Sequence, residues 1–222
     1  MMDVDRREAL LKMQTAMLVD AMDSLGLSER VLDPAIRPIA PLSRMVGTAV
    51  TVALLSEENP DKADLTAYRD LLMSSTALHE AIMVVEVPLA HHHCGVFGEG
   101  AATVARKAGY VGALVEGGVR DTARLHEMGF PAFSRTIAPG LIEDKVRVRD
   151  THKPVCIGGQ LIHNGDIVAA DNDGVIVVSA QDIDCVLQRA LEIENWEKTI
   201  LDTVLREGKH IEEARKLAGP RP

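Results

Sequence analysis

The sequence predicts an α/β fold with a parallel β-α-β-α-β element, and three observations point there. Between residues 81 and 134, apolar runs alternate with helical patterns that end in glycine. That alternation marks a buried parallel sheet with right-handed crossovers. From about residue 144, short β-like pieces separated by Gly, Asn and Asp replace it, which reads as antiparallel. From residue 182 the tail is helical in period.

The elements follow in order. Leu10, Met13, Met17, Ala21 and Leu25 recur at helical spacing and Gly26 is a natural stop, so residues 6–25 read as one amphipathic helix. Residues 27–44 hold Pro34, Pro38 and Pro41 and read as an extended connection. Residues 45–55, rich in Val and Thr, read as a strand, and 61–78 as a helix with Asn59-Pro60 at its entrance. The parallel element is strand 81–87, helix 98–108, strand 113–115, helix 119–128 and strand 131–134, with Gly109 and Gly129 ending the helices. The antiparallel pieces are 145–148, 155–157, 166–170 and 175–179. Asp171-Asn172-Asp173-Gly174 lies between the last two as a hairpin turn. Helices are expected over 182–206 and, after Gly208, over 211–217. The whole chain, 1–222, reads as a single domain, with a core of about 45–180 flanked by the terminal helices 6–25 and 182–217.

Composition narrows the function classes. The chain has 222 residues and a formal net charge of −9. With no long Lys/Arg run it is a poor candidate for wrapping nucleic acid, and no nucleic-acid partner is expected. Aromatic residues are only 3%, so the core must be built from Ala, Val, Leu, Ile and Met. Cys94, Cys156 and Cys185 are widely spaced, form no CxxC pair and read as reduced thiols of a cytoplasmic protein. No signal-peptide apolar region stands at the N-terminus, and no run approaches the ~18 apolar residues that span a bilayer, so no membrane partner is expected.

The segment richest in chemistry is Gly117-Gly118-Val119-Arg120-Asp121. A strand that ends in glycines and opens a helix leaves backbone N–H groups free to bind an anion. An arginine there can grip a carboxylate with two parallel hydrogen bonds. The adjacent aspartate is a hard oxygen ligand suited to Mg²⁺ or Mn²⁺. Gly98-Glu99-Gly100-Ala101 stands at an equivalent point, after one strand and before the other helix. If the two strands are neighbours, both helix starts face one crevice and Glu99 lies close to Asp121. Taken singly, Gly-Glu-Gly is a capped helix start and Arg120–Asp121 a surface pair. Their coincidence at matching positions favours a site.

Gly98-Glu99, then Gly118-Val119-Arg120-Asp121, Gly165-Asp166-Ile167-Val168 and Asp171-Asn172-Asp173-Gly174-Val175 together resemble the family of the regulator of ribonuclease activity A. That family also contains the 4-hydroxy-4-methyl-2-oxoglutarate aldolases. The resemblance covers roughly residues 10–215. It implies a layered β/β/α, swivelling-domain-like architecture and a homotrimer or a hexamer of two trimers. It implies a class II, metal-dependent aldolase, often able to decarboxylate oxaloacetate, with Mg²⁺ or Mn²⁺ as cofactor. Carried over residue by residue, Asp121 would bind the metal directly and Glu99 through water. Arg120 and the backbone N–H groups of Gly98, Glu99, Gly100 and Ala101 would hold the pyruvate end of a small oxoacid. A glutamate from the C-terminal helix of a neighbouring subunit completes some sites in this family. Glu197 is the best match, with Glu194 in reserve.

The residue types agree with that chemistry. Retro-aldol cleavage and β-decarboxylation both pass through a pyruvate enolate, which a chelated divalent cation and preorganised cationic groups stabilise. No Schiff-base lysine is required. The competing class is a protein-binding regulator of ribonuclease activity without catalysis. A methyltransferase reading lacks a Gly-rich nucleotide loop with a ribose-binding acid about 20 residues on.

Other features have plainer readings. His91-His92-His93-Cys94 invites a zinc site, but on a strand only His91 and His93 would share a face. The histidines depart from the family pattern and read as structure, a pocket entrance or a subunit contact. Asp171-Asn172-Asp173-Gly174 fails as a calcium loop, because Ala169 and Ala180 fall at the terminal ligand positions. Glu192, Glu194 and Glu197 are most simply a solvated helix face. Residues 27–44, 88–97 and 135–145 are expected to set specificity at the distal end of the substrate.

Overall fold

The apolar runs of the middle of the chain become strands with two buried faces. In β3 (Ala81–Glu86) the side chains of Ile82 and Val84 enter one core, while those of Ala81, Met83 and Val85 enter another. That is the period-2 alternation of a strand covered on both sides. The structure is a computed structural model that describes residues 4–74 and 80–222.

One sheet carries most of the strands, in the order β1 (Arg37–Pro38), β6 (Ala132–Ile137), β5 (Tyr110–Val119), β3, β2 (Met45–Ser56), β11 (Ile167–Ala170), β12 (Val175–Val178). β2, β3, β5 and β6 are mutually parallel, and β11 joins β2 antiparallel. β4 (Cys94–Phe97) pairs with β5 and with the short β7 (Gly140–Leu141), and β8 (Val146–Thr151) runs antiparallel along the far end of β2.

One sheet face is covered by α3 (Thr66–Met73), α4 (Glu99–Lys107) and α5 (Thr122–Glu127), through Leu71, Ala102, Ala105 and Leu125. The other is covered by the small sheet of β9 (Val155–Ile157) and β10 (Gln160–Ile162), through Val155, Ile157 and Ile162. The layers are therefore β/β/α, as expected. A third cluster joins β11 and β12 to α1 (Val4–Lys12), α2 (Thr15–Ser24) and α6 (Ile183–Glu207), and α7 (Ile211–Ala218) packs back on α6.

Several expectations are corrected. The helix read over 6–25 is two helices. Gln14 is extended, with φ −67° and ψ 145°, because the Asp171 carboxylate takes both the Thr15 N–H at 2.9 Å and the Thr15 hydroxyl at 2.7 Å. The helix read over 61–78 begins at Thr66. Before it, Pro60–Lys62 is a 3-10 turn, and Asp64 is drawn into β-bridge pairing beside β8. Residues 75–78 of that helix lie outside the described residues. The helix read over 119–128 starts at Thr122, because the Arg120 N–H still bonds strand-like to the Phe97 carbonyl at 2.9 Å. Residues 91–93 are not a strand: Leu89–His91 is a 3-10 turn, and β4 starts only at Cys94.

Candidate active site

The crossovers bring the two glycine motifs to one end of the sheet. β4 and β5 are parallel neighbours, with Gly95 opposite Gly118 and Phe97 opposite Val119. The start of α4 and the Arg120-Asp121 pair thus meet at the carboxyl ends of adjacent strands, where ligands bind in open α/β sheets. Gly118 is required there, since a Cβ would overlap the Cys94 carbonyl oxygen. At Gly98 a Cβ would lie 2.6 Å from Asp121 Oδ2 and 2.8 Å from Arg120 Cγ, so only glycine lets the helix start approach the pair.

Asp121 is strained. Its backbone is left-handed, with φ 55° and ψ 35°, a region an aspartate enters at a cost and one that clusters at functional sites. Oδ2 accepts the Glu99 N–H at 3.2 Å and lies 3.6 Å from Arg120 Nε. Oδ1 has no partner among the described residues. Nor do the N–H groups of Gly100 and Ala101 at the first turn of α4 find an acceptor there. Arg120 and Asp121 are each about two-fifths exposed. A cation-ready carboxylate oxygen, a guanidinium and two unspent N–H donors therefore share one opening.

That opening leads into a pocket of about 320 Å³, at the small end of ligand sites. Gly98, Gly100, Ala101, Arg120 and Asp121 form one part of its lining. Leu65 with Tyr68, Arg69, Leu72 and Met73 of α3 forms another, and Leu141, Ile142 and Glu143 a third. The α3 wall is pinned by phenols: Tyr68 donates to the Val96 carbonyl at 3.3 Å, and Tyr110 to the Leu71 carbonyl at 3.0 Å. Burial pushes both phenol pKa values up, so they serve as neutral hydrogen bonders.

Of the residues singled out from sequence, Gly98, Gly100, Ala101, Arg120 and Asp121 line this pocket. Glu99 contributes its backbone, but its carboxylate is held outside by Arg124, whose Nε lies 3.1 Å from Oε1. The Glu99 carboxylate, by hydrogen bond and charge, and then Glu127, push the Arg124 pKa further up. Glu197 and Glu194 lie on α6, which packs against α2 and α7 and contributes nothing to the pocket lining within the chain.

The histidines are not in the pocket either. The His91 and His93 rings stand 6.3 Å apart, and His92 Nε2 contacts the Val87 carbonyl at 3.0 Å. Burial, then His93 and Lys145, lower the His91 pKa, and its buried Nδ1 has no hydrogen-bond partner among the described residues. Among the described residues no cluster of three His, Cys, Asp or Glu side chains could hold a metal ion. Magnesium asks for less, binding through one or two carboxylates and filling its shell with water and substrate oxygens. Asp121, with Oδ1 unspent, fits that mode as one such carboxylate, and Glu99 would join it only with its carboxylate turned from Arg124.

Of the three segments expected to set distal specificity, 88–97 contributes Gly95 and Val96, and 135–145 contributes Leu141, Ile142 and Glu143. Residues 27–44 do not line the pocket. They lie along β12 and β6, through Val31 bridged to Ile176 and Arg37 paired with Ser134. The α3 wall was missed, because an amphipathic helix shows in sequence only that it has a buried face, not that the face overlooks a cavity.

Comparison with known proteins agrees with this architecture. Residues 15–177 match the RraA-like family, described as Aldolase/RraA. Protein DlpA of Legionella pneumophila is 25% identical over 94% of the chain, which spans only 33% of that longer protein. A Halalkalibacterium halodurans protein named "Putative 4-hydroxy-4-methyl-2-oxoglutarate aldolase" is 29% identical over 89% of the chain and 90% of its own length. The crystal structure of Streptomyces coelicolor RraAS2, titled an unusual member of the RNase ES inhibitor RraA protein family, shares the fold. Its TM-score is 0.75 at 23% identity, over 89% of this chain and 96% of that one.

Proposed function

Since the chain belongs to the RraA-like family, we propose that it is a divalent-metal-dependent carbon–carbon lyase. It releases pyruvate from a 4-hydroxy-2-oxo dicarboxylic acid of the 4-hydroxy-4-methyl-2-oxoglutarate type, or from oxaloacetate. The observation that carries this reading is the strained Asp121, its Oδ1 unspent, beside Arg120 and the open N–H groups of Gly100 and Ala101 at the pocket mouth.

In this reading Arg120 and those N–H groups bind the substrate C1 carboxylate and hold the 2-oxo group in place. Asp121 would hold Mg²⁺ or Mn²⁺ directly and Glu99 through water. Glu197, or else Glu194, from a neighbouring copy in a homotrimer or a hexamer of two trimers would complete the site. The bound cation supplies Lewis-acid stabilisation of negative charge on the 2-oxo oxygen. The Glu99 carboxylate, turned from Arg124, takes the substrate 4-hydroxyl proton through a water. The C3–C4 bond then breaks, C4 becomes a carbonyl, and the electron pair stays on the three-carbon fragment as pyruvate enolate. Protonation at C3 gives pyruvate. With oxaloacetate the same bond breaks with loss of CO₂ and the same enolate forms. Arg120 opposes the developing charge in both cases.

The test is pyruvate release from both substrates with Mg²⁺ or Mn²⁺ and again with EDTA. Metal-dependent pyruvate from either is expected. No pyruvate from folded, metal-supplied protein would overturn the reading. The competing reading, a ribonuclease regulator, draws on the likeness to RraAS2, but a binding surface has no need of a strained aspartate at a pocket mouth.

A further inference from the structure

Four charged side chains line the pocket, and they form two arginine–carboxylate pairs. Arg120–Asp121 belongs to the site already described. The other is Arg69 on α3 with Glu143 in the turn after Ile142, 2.7 Å apart, each about half exposed. Around that second pair the wall is apolar: Leu65, Leu72, Leu141 and Ile142. A substrate whose C1 carboxylate sits at Arg120 must extend its remaining carbons along this wall. Arg69 is the one cation besides Arg120 among the described residues that line the pocket.

We propose that Arg69 is the specificity-determining residue of the lyase: it receives a carboxylate at the far end of the substrate, and Glu143 holds it ready in the empty pocket. The inference rests on the lyase reading for where the substrate's near end lies. An exposed ion pair contributes little stability, so exchanging Glu143 for a substrate carboxylate costs little. The guanidinium is a planar donor matched to a carboxylate. An apolar wall with one such cation favours 2-oxo acids with a second carboxylate over those ending in a methyl group, since neither a lone methyl nor a neutral hydroxyl would replace Glu143.

Binding separates this inference from the reading beneath it. 2-Oxoglutarate and 2-oxopentanoate share a five-carbon chain, lack the 4-hydroxyl needed for cleavage and differ in the far carboxylate. Their dissociation constants would be measured by calorimetry with Mg²⁺ on the wild type, Arg69→Met and Glu143→Gln. The wild type should bind 2-oxoglutarate about tenfold more tightly. Arg69→Met should abolish that preference with 2-oxopentanoate affinity unchanged, and Glu143→Gln should widen it two- to threefold. An equal preference in wild type and Arg69→Met overturns the inference even if pyruvate release stands. A preference lost in Arg69→Met sustains it as a binding assignment even if pyruvate release fails.

Discussion

Asp121 and Asp171 both stand just past the end of a strand, one opening α5 and the other a hairpin turn, yet the fold treats them oppositely. Asp171 is 5% exposed. Its Oδ1 accepts from the Thr15 hydroxyl and the Asp173 N–H, and its Oδ2 from the Thr15 N–H and Arg44. Asp121 is exposed and left-handed, with one oxygen engaged and the other unspent. A carboxylate whose capacity is filled by its own chain holds the fold together. One left underfilled at a strained position keeps an oxygen available to a ligand, which is the role proposed for Asp121.

The sharpest way to break that contrast is Asp171→Ala. It leaves the Thr15 hydroxyl, the Thr15 N–H and the Asp173 N–H without that acceptor and strips Arg44 of its carboxylate partner, leaving it the Leu11 carbonyl and Gln14, so it should cost about 3–5 kcal/mol. The melting temperature should fall by roughly 6–20 °C, read by calorimetry; a melt within 2 °C or so of wild type would show that Asp171 is dispensable. Asp121→Asn should do the reverse. Asparagine tolerates the left-handed region, so stability should stay within about 0.5 kcal/mol. Pyruvate release should drop by about two to three decades, and normal turnover would remove Asp121 from the site.

Gly98→Ala tests the approach that joins the two motifs. Its Cβ would displace Asp121 Oδ2 and Arg120, so turnover should fall about tenfold, with roughly 1–3 kcal/mol lost from stability as the contact relaxes. The smallest effect is on acid stability. Burial alone would raise the Asp171 pKa, but hydrogen bonds from Thr15 and Asp173 and the charge of Arg44 outweigh it and hold the pKa below the ordinary 3.8. The stability it contributes is therefore fully present above about pH 4 and is lost as pH falls through the lower folded value. Denaturant titrations at pH 5 and pH 3 should show that loss in the wild type and less of it in Asp171→Asn.

The contrast also explains what the sequence could reveal. The β-α-β-α-β run and the Asp171–Gly174 hairpin were legible because apolar periodicity and glycine punctuation are local. The meeting of Gly98, Arg120 and Asp121 at one end of the sheet was legible because strand–glycine–helix junctions of neighbouring parallel strands fall at the same sheet edge. The break at Gln14 was not, since its cause is a carboxylate 156 residues from Thr15. The strand character of Arg120 depends on Phe97, and the capture of Glu99 by Arg124 depends on the spacing of two helices. Tertiary partners decide each of these, and no window of sequence contains them.

β2 belongs to both halves of the sheet: parallel to β3 on one edge, antiparallel to β11 and β8 on the other. A chain cut near residue 140 to isolate the glycine motifs would bare that second edge as a long apolar strand, open to pairing with other molecules. The site therefore has no minimal fragment. Deuterium uptake should report the amides of β2 among the last to exchange, opening only when the whole protein does.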